Sequence, residues 1–88
     1  MNEKVAFFRA LGDETRLKIV LALLDREKPA SEIVNLAGKA QPTVSLALKE
    51  LVNAKILESR KEGRSVYYSL SNKTVPKIIA LLEKNEPR

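Results

Sequence analysis

Two neighbouring stretches decide the fold: Gln41-Pro42-Thr43-Val44-Ser45-Leu46-Ala47-Leu48-Lys49-Glu50-Leu51 and, shortly after it, Arg60-Lys61-Glu62-Gly63-Arg64-Ser65-Val66-Tyr67-Tyr68. In the first, apolar residues recur at helical spacing. Proline is well placed in the first turn, where its missing N–H has no intrahelical acceptor. Val44, Leu48 and Leu51 share one face, while Pro42, Leu46, Lys49 and Asn53 lie opposite, flanked by Thr43 and Ser45. In the second, the period falls to two: Val66, Tyr68 and Leu70 alternate with Ser65, Tyr67 and Ser69. Residues Ile56 to Arg60 form the partner strand and Glu62-Gly63 the turn, which predicts a hairpin tip carrying Arg60, Lys61 and Arg64.

Upstream, Ser31 is a candidate cap for a short helix with Ile33, Val34, Leu36 and Ala37 inside, ended by Gly38. Two short helices joined by a glycine-containing turn make a helix-turn-helix. Before it, a first helix ends at Gly12, and Asp13 caps a second that runs to about Arg26 and is closed by Lys28-Pro29. The second helix presents Leu17, Val20, Leu21 and Leu24, with Ile19 and Leu23 widening that face. A last helix starts near Asn72 to Thr74, has Pro76 in its first turn and carries Val75, Ile78, Ile79 and Leu82 on one stripe. The ends, Met1 to Glu3 and Asn85 to Arg88, read as frayed. The class is mainly α with a β-hairpin (α+β), a winged helix-turn-helix of about five helices and a two-stranded wing, in one domain over residues 1–88.

Composition limits the chemistry. The 88 residues support one modest core. The net charge of +5 suits a polyanionic partner. Between Lys39 and Arg64 the cations Lys39, Lys49, Lys55, Arg60, Lys61 and Arg64 outnumber Glu50, Glu58 and Glu62, so much of that excess lies in the helix-and-hairpin module. Cysteine and histidine are absent, which removes thiolate chemistry, disulfides, imidazole ligands and the usual neutral-pH base. With no glycine-rich phosphate loop either, no enzyme is expected. No apolar run approaches a membrane span, and Met1-Asn2-Glu3-Lys4 leads into an amphipathic segment rather than a signal-peptide core, so no membrane partner and a cytoplasmic location are expected.

A polar-faced helix beside a cationic ribbon is what a reader of duplex DNA needs. The candidate DNA-binding residues are Gln41, Thr43, Ser45, Leu46 and Lys49 on the helix and Arg60, Lys61 and Arg64 on the hairpin. A protein-docking module without specific DNA readout is the alternative, because the same fold serves both uses. Val5, Phe8, Val75, Ile78, Ile79 and Leu82 lie on apolar faces of the first and last helices (about 3–11 and 74–84) that want a cover, and a second copy of the chain is a suitable one. Arg16, in the first turn of the second helix, suits either a phosphate or an internal carboxylate.

Leu11-Gly12-Asp13-Glu14-Thr15-Arg16-Leu17-Lys18-Ile19, Thr43-Val44-Ser45 with Leu48-Lys49 and Leu51, and Glu62-Gly63-Arg64 with Val66-Tyr67-Tyr68, in this order and spacing, resemble the ArsR/SmtB family of winged helix-turn-helix regulators. The resemblance covers about Phe8 to Leu70. It implies a homodimeric repressor held by its first and last helices, with recognition helices in successive major grooves and wings on the flanking backbone or minor groove. For a two-fold dimer the DNA site is an imperfect inverted repeat, its half-sites a helical turn or a multiple apart. The chain departs from the family pattern in three ways. Metal-sensing members use Cys, His and carboxylate ligands, and with no Cys or His here neither metal sensing nor any cofactor is expected. Leu46 and Ala47 stand where relatives commonly have arginine and histidine, so Leu46 suits a thymine methyl better than guanine. Ala40 replaces a small polar cap.

Overall fold

The computed structural model describes residues 2–71 and 73–85. Helix α1 spans Asn2–Leu11, α2 Glu14–Ala22, α3 Ala30–Ala37, α4 Gln41–Asn53 and α5 Thr74–Lys84; the strands are β1 Lys28–Pro29, β2 Leu57–Glu62 and β3 Ser65–Leu70. The architecture is the expected five helices with a β-hairpin wing. None of the described helices is long and apolar enough to cross a membrane. The expected fraying is not seen at Asn2, Glu3 or Asn85, which begin α1 and cap α5. Met1, residues 86–88 and Asn72 lie outside the described residues.

Local chemistry sets most boundaries. Gly12 follows α1, and a Cβ there would sit 3.3 Å from the Phe8 carbonyl. The Asp13 carboxylate accepts from the Arg16 N–H at 3.0 Å, capping α2. That helix stops at Ala22, short of the expected Arg26. The following residues carry the chain into β1, where Lys28 pairs with Tyr68 and Pro29 with Tyr67. The sheet thus has three strands, in the order β1-β3-β2, one more than the expected hairpin. Strand pairing between residues about forty apart in sequence left no local signal.

Because Lys28-Pro29 is a strand, α3 starts directly behind it with Pro29 as N-cap, and Ser31 lies inside the first turn instead of capping it. Gly38, at φ 65°, closes α3 with its N–H on the Val34 carbonyl. Helix α4 begins at Gln41, as expected, behind an Ala40 cap that offers no side-chain acceptor. It ends in a Schellman motif: Lys55 takes φ 64°, its N–H donates to Val52 O (2.9 Å) and the Ile56 N–H to Leu51 O (3.0 Å). Leu51 and Ile56 are both fully buried, supplying the apolar contact that accompanies this motif. The wing then pairs from Leu57↔Leu70 to Glu62↔Ser65, so Glu62 closes the ladder and the turn is Gly63-Arg64, with Gly63 at φ 62°.

The core gathers Ile19, Val20 and Leu23 of the α2 region, Ile33 and Ala37, Val44, Ala47, Leu48 and Leu51, Ile56, Leu57 and Val75. Three expected inward positions differ. Leu21 and Leu24 are exposed while Ile19 and Leu23 are buried, and Leu36 of α3 is exposed. With Lys18 the only polar residue between Leu17 and Leu24, periodicity does not single out the inward stripe, and because α2 ends at Ala22, Leu24 lies beyond the helix. Val75, expected in a subunit interface, is 0 % exposed within one chain and belongs to the core. Its place on the stripe of Ile78, Ile79 and Leu82 hid the fact that the first turn of α5 is sealed by its own chain.

Candidate nucleic-acid interface

Val44, Ala47, Leu48 and Leu51 root α4 in the core, which fixes what it presents outward. Gln41, Pro42, Thr43, Ser45, Leu46, Lys49 and Asn53 are all exposed, Leu46 at 59 %. Ala47 is buried, so it is not part of the outward face. Of the two residues that stand in place of arginine and histidine, only Leu46 can meet a partner.

The fold joins the start of this helix to the wing. Gln41 and Arg64, remote in sequence, line one cleft of about 280 Å³ with Pro29, Ala30, Ser31, Ser65 and Val66. Ser31 was missed as a candidate because capping chemistry assigned its hydroxyl elsewhere. It lies in the first turn of α3, about two turns before the corner at Gly38.

The wing's cations separate. Side chains of a strand alternate between faces. Lys61 pairs with Val66, on the face that continues toward Tyr68 and Leu70, which pack against the core. The helices pack against that face, so Lys61 lies on the helix side of the wing. Arg60 pairs with Tyr67 on the opposite face. Its guanidinium lies 4.8 Å over the Tyr67 ring, donates to both Glu27 carboxylate oxygens at 3.0 and 2.7 Å, and to Glu62 Oε1 at 2.6 Å. The hydrogen bonds from Arg60 hold the Glu27 carboxyl below the usual range, and Glu27 and Glu62 together raise the Arg60 guanidinium. Sequence reading grouped Arg60 with Lys61 and Arg64 at the tip; the structure splits them by face and neutralises Arg60 internally. Among the described residues no carboxylate forms an ion pair with Lys49, Lys61 or Arg64.

Arg16 also turns inward. Its Nε donates to the Ala10 carbonyl at 2.8 Å, Nη2 to Arg9 O, and Nη1 pairs with Glu50 at 2.7 Å, tying the end of α1 to α4. Among the described residues, no group of three or more acidic side chains could hold a metal ion.

At the subunit faces proposed from sequence, Val5, Phe8 and Leu82 are exposed, at 43, 59 and 61 %, and Ile78 and Ile79 are half-buried. Phe7, Phe8, Thr74 and Ile78 line a shallow groove between α1 and α5.

Comparison with known proteins agrees with this geometry. Residues 13–59 match the model of the bacterial regulatory protein, arsR family. The chain is 35 % identical over 75 residues to the HTH-type transcriptional regulator KmtR of Mycobacterium tuberculosis, covering 85 % of this chain and 58 % of that protein. It is 39 % identical over 75 residues to the probable mercury resistance operon repressor of Streptomyces lividans, covering 85 % of this chain and 60 % of that one. The chain thus spans less than two thirds of either relative. Among solved structures it is similar to the homodimeric winged helix-turn-helix DNA-binding domain of a possible ArsR-family regulator from Mycobacterium bovis, at a TM-score of 0.86 and 26 % identity over 94 % of this chain and 77 % of that one. The helix-turn-helix and wing, the match over residues 13–59 and these likenesses agree: the chain belongs to the arsR family of bacterial regulatory proteins, whose members are transcriptional regulators.

Proposed function

We propose that this chain is a sequence-specific, double-stranded DNA-binding repressor that acts as a homodimer on an imperfect inverted repeat, without a metal effector. The observation that carries the reading is the shared cleft of Gln41 and Arg64, in which the first residue of α4 and one wing cation line the same concave surface. Gln41, Thr43, Ser45, Leu46 and Lys49 are the groove-facing set; Lys61 and Arg64 meet phosphates, which position the protein without reading sequence. Leu46 meets a thymine methyl. The homodimer is supported by exposed Val5, Phe8 and Leu82 and by the M. bovis likeness. Freedom from metal control is supported by the absence of every Cys and His, although the S. lividans relative is named for mercury resistance.

Selection from a random duplex library, followed by anisotropy titration at several salt concentrations, tests this. A preferred inverted repeat with strongly salt-dependent affinity is expected. Lys61→Ala and Arg64→Ala should each weaken binding to all duplexes and lower the salt slope by about one, whereas Ser45→Ala and Leu46→Ala should change preference among sites. Zinc or cadmium at micromolar excess should leave the titration unchanged. Salt-independent binding without preference would refute the reading in favour of protein docking, to which the exposed Leu36 and Leu46 would then belong.

A further inference from the structure

Among the described residues, Arg60 is the one wing cation whose valences are spent inside the chain. Its planar guanidinium meets both Glu27 oxygens, 33 residues away, together with Glu62 and the face of Tyr67. Such a fork matches a carboxylate in a way a point ammonium cannot. Glu27 is the residue immediately before β1, and β1 leads without a break into α3, the first helix of the helix-turn-helix. The Arg60–Glu27 contact therefore ties the outer strand of the wing to the segment that enters the reading module, across the central strand β3. It lies on the sheet face opposite Lys61.

We propose that Arg60 is a positioning residue, which with Glu27 locks the wing at its angle to the recognition helix, and that it makes no phosphate contact. This rests on the DNA-binding reading above. The wing then presents two cations to a duplex, Lys61 and Arg64, and Arg60 contributes to affinity only by holding them in place.

The test compares Arg60→Ala, Arg60→Lys, Glu27→Gln and the Arg60→Ala/Glu27→Gln pair with wild type and with Lys61→Ala, on the selected duplex across a salt series. Each variant is also followed by amide exchange of Tyr67 and Tyr68 in β3. The lock predicts a three- to tenfold loss of affinity for the first three variants at unchanged salt slope, no further loss in the double variant, and about tenfold faster exchange at Tyr67 and Tyr68. Arg60→Lys separates the alternatives without risk to folding: a lysine serves a phosphate well but not the two Glu27 oxygens. Wild-type affinity in Arg60→Lys, together with a slope lowered by about one in Arg60→Ala as in Lys61→Ala, would overturn the proposal and make Arg60 a phosphate contact. Glu27→Gln binding more tightly than wild type would overturn it equally. If wild type bound no duplex, the DNA reading and the part of Arg60 in it would fall, while unchanged exchange in Arg60→Ala and Glu27→Gln would refute the lock itself.

Discussion

Lys28 is 4 % exposed, the single buried charged residue among those described. Its ammonium donates to the Ala22 carbonyl and pairs with Asp25 at 2.6 Å, so the buried charge satisfies the open end of α2. The same bond holds the Asp25 carboxyl below its usual range. Lys28→Met keeps the apolar stem and removes the donors; a loss of about 1–2 kcal/mol in denaturant unfolding is expected. Wild-type stability would show that the bond contributes nothing. At this scale the sequence was partly legible. Asp13 as cap and Gly38 and Gly63 as left-handed residues follow from local chemistry. The Arg60–Glu27 pair did not, because that partner comes through the fold. Lys28 and Asp25 are only three residues apart, but a free Lys and one engaged by a carboxylate look alike in sequence. For Arg16 the structure selects the internal carboxylate, Glu50, of the two expected uses.

Among the elements, α4 was read best. Its start, its buried seam of Val44, Leu48 and Leu51 and its exposed Leu46 and Lys49 all follow from a clear 3.6 period interrupted by polar residues. The orientation of α2 was read worst, since its apolar residues surround more of the helix. The two ends of α4 are unequal. The Schellman motif closes one, while Ala40 leaves the other without a side-chain acceptor for its first N–H groups. Ala40 has the extended backbone of an N-cap, at φ −62° and ψ 149°, so Ala40→Ser should fit without rearrangement and stabilise the protein by about 0.5–1 kcal/mol. Thermal unfolding checks this, and an unchanged or lower midpoint would mean the end of the helix is already satisfied.

For the molecule as a whole, the buried and exposed parts of one apolar stripe make the dimer proposal testable. Phe8 and Leu82 are exposed in a single chain, so Phe8→Glu and Leu82→Glu should leave its fold intact and shift sedimentation from dimer to monomer. Val75→Glu should instead prevent folding, because an unpaired carboxylate would enter the core. Equal behaviour of the three would refute this division. The sheet adds its own constraint. Its edges are β1, two residues long and ending in a proline, and β2, where Glu58, Arg60, Lys61 and Glu62 crowd the outer strand. Both edges disfavour a further strand: one is short and lacks a donor, and on the other a docking strand would have to strip water from four charged side chains. Edge-to-edge polymerisation is thereby disfavoured, which leaves the proposed self-association to the exposed helix faces, where it can stop at two.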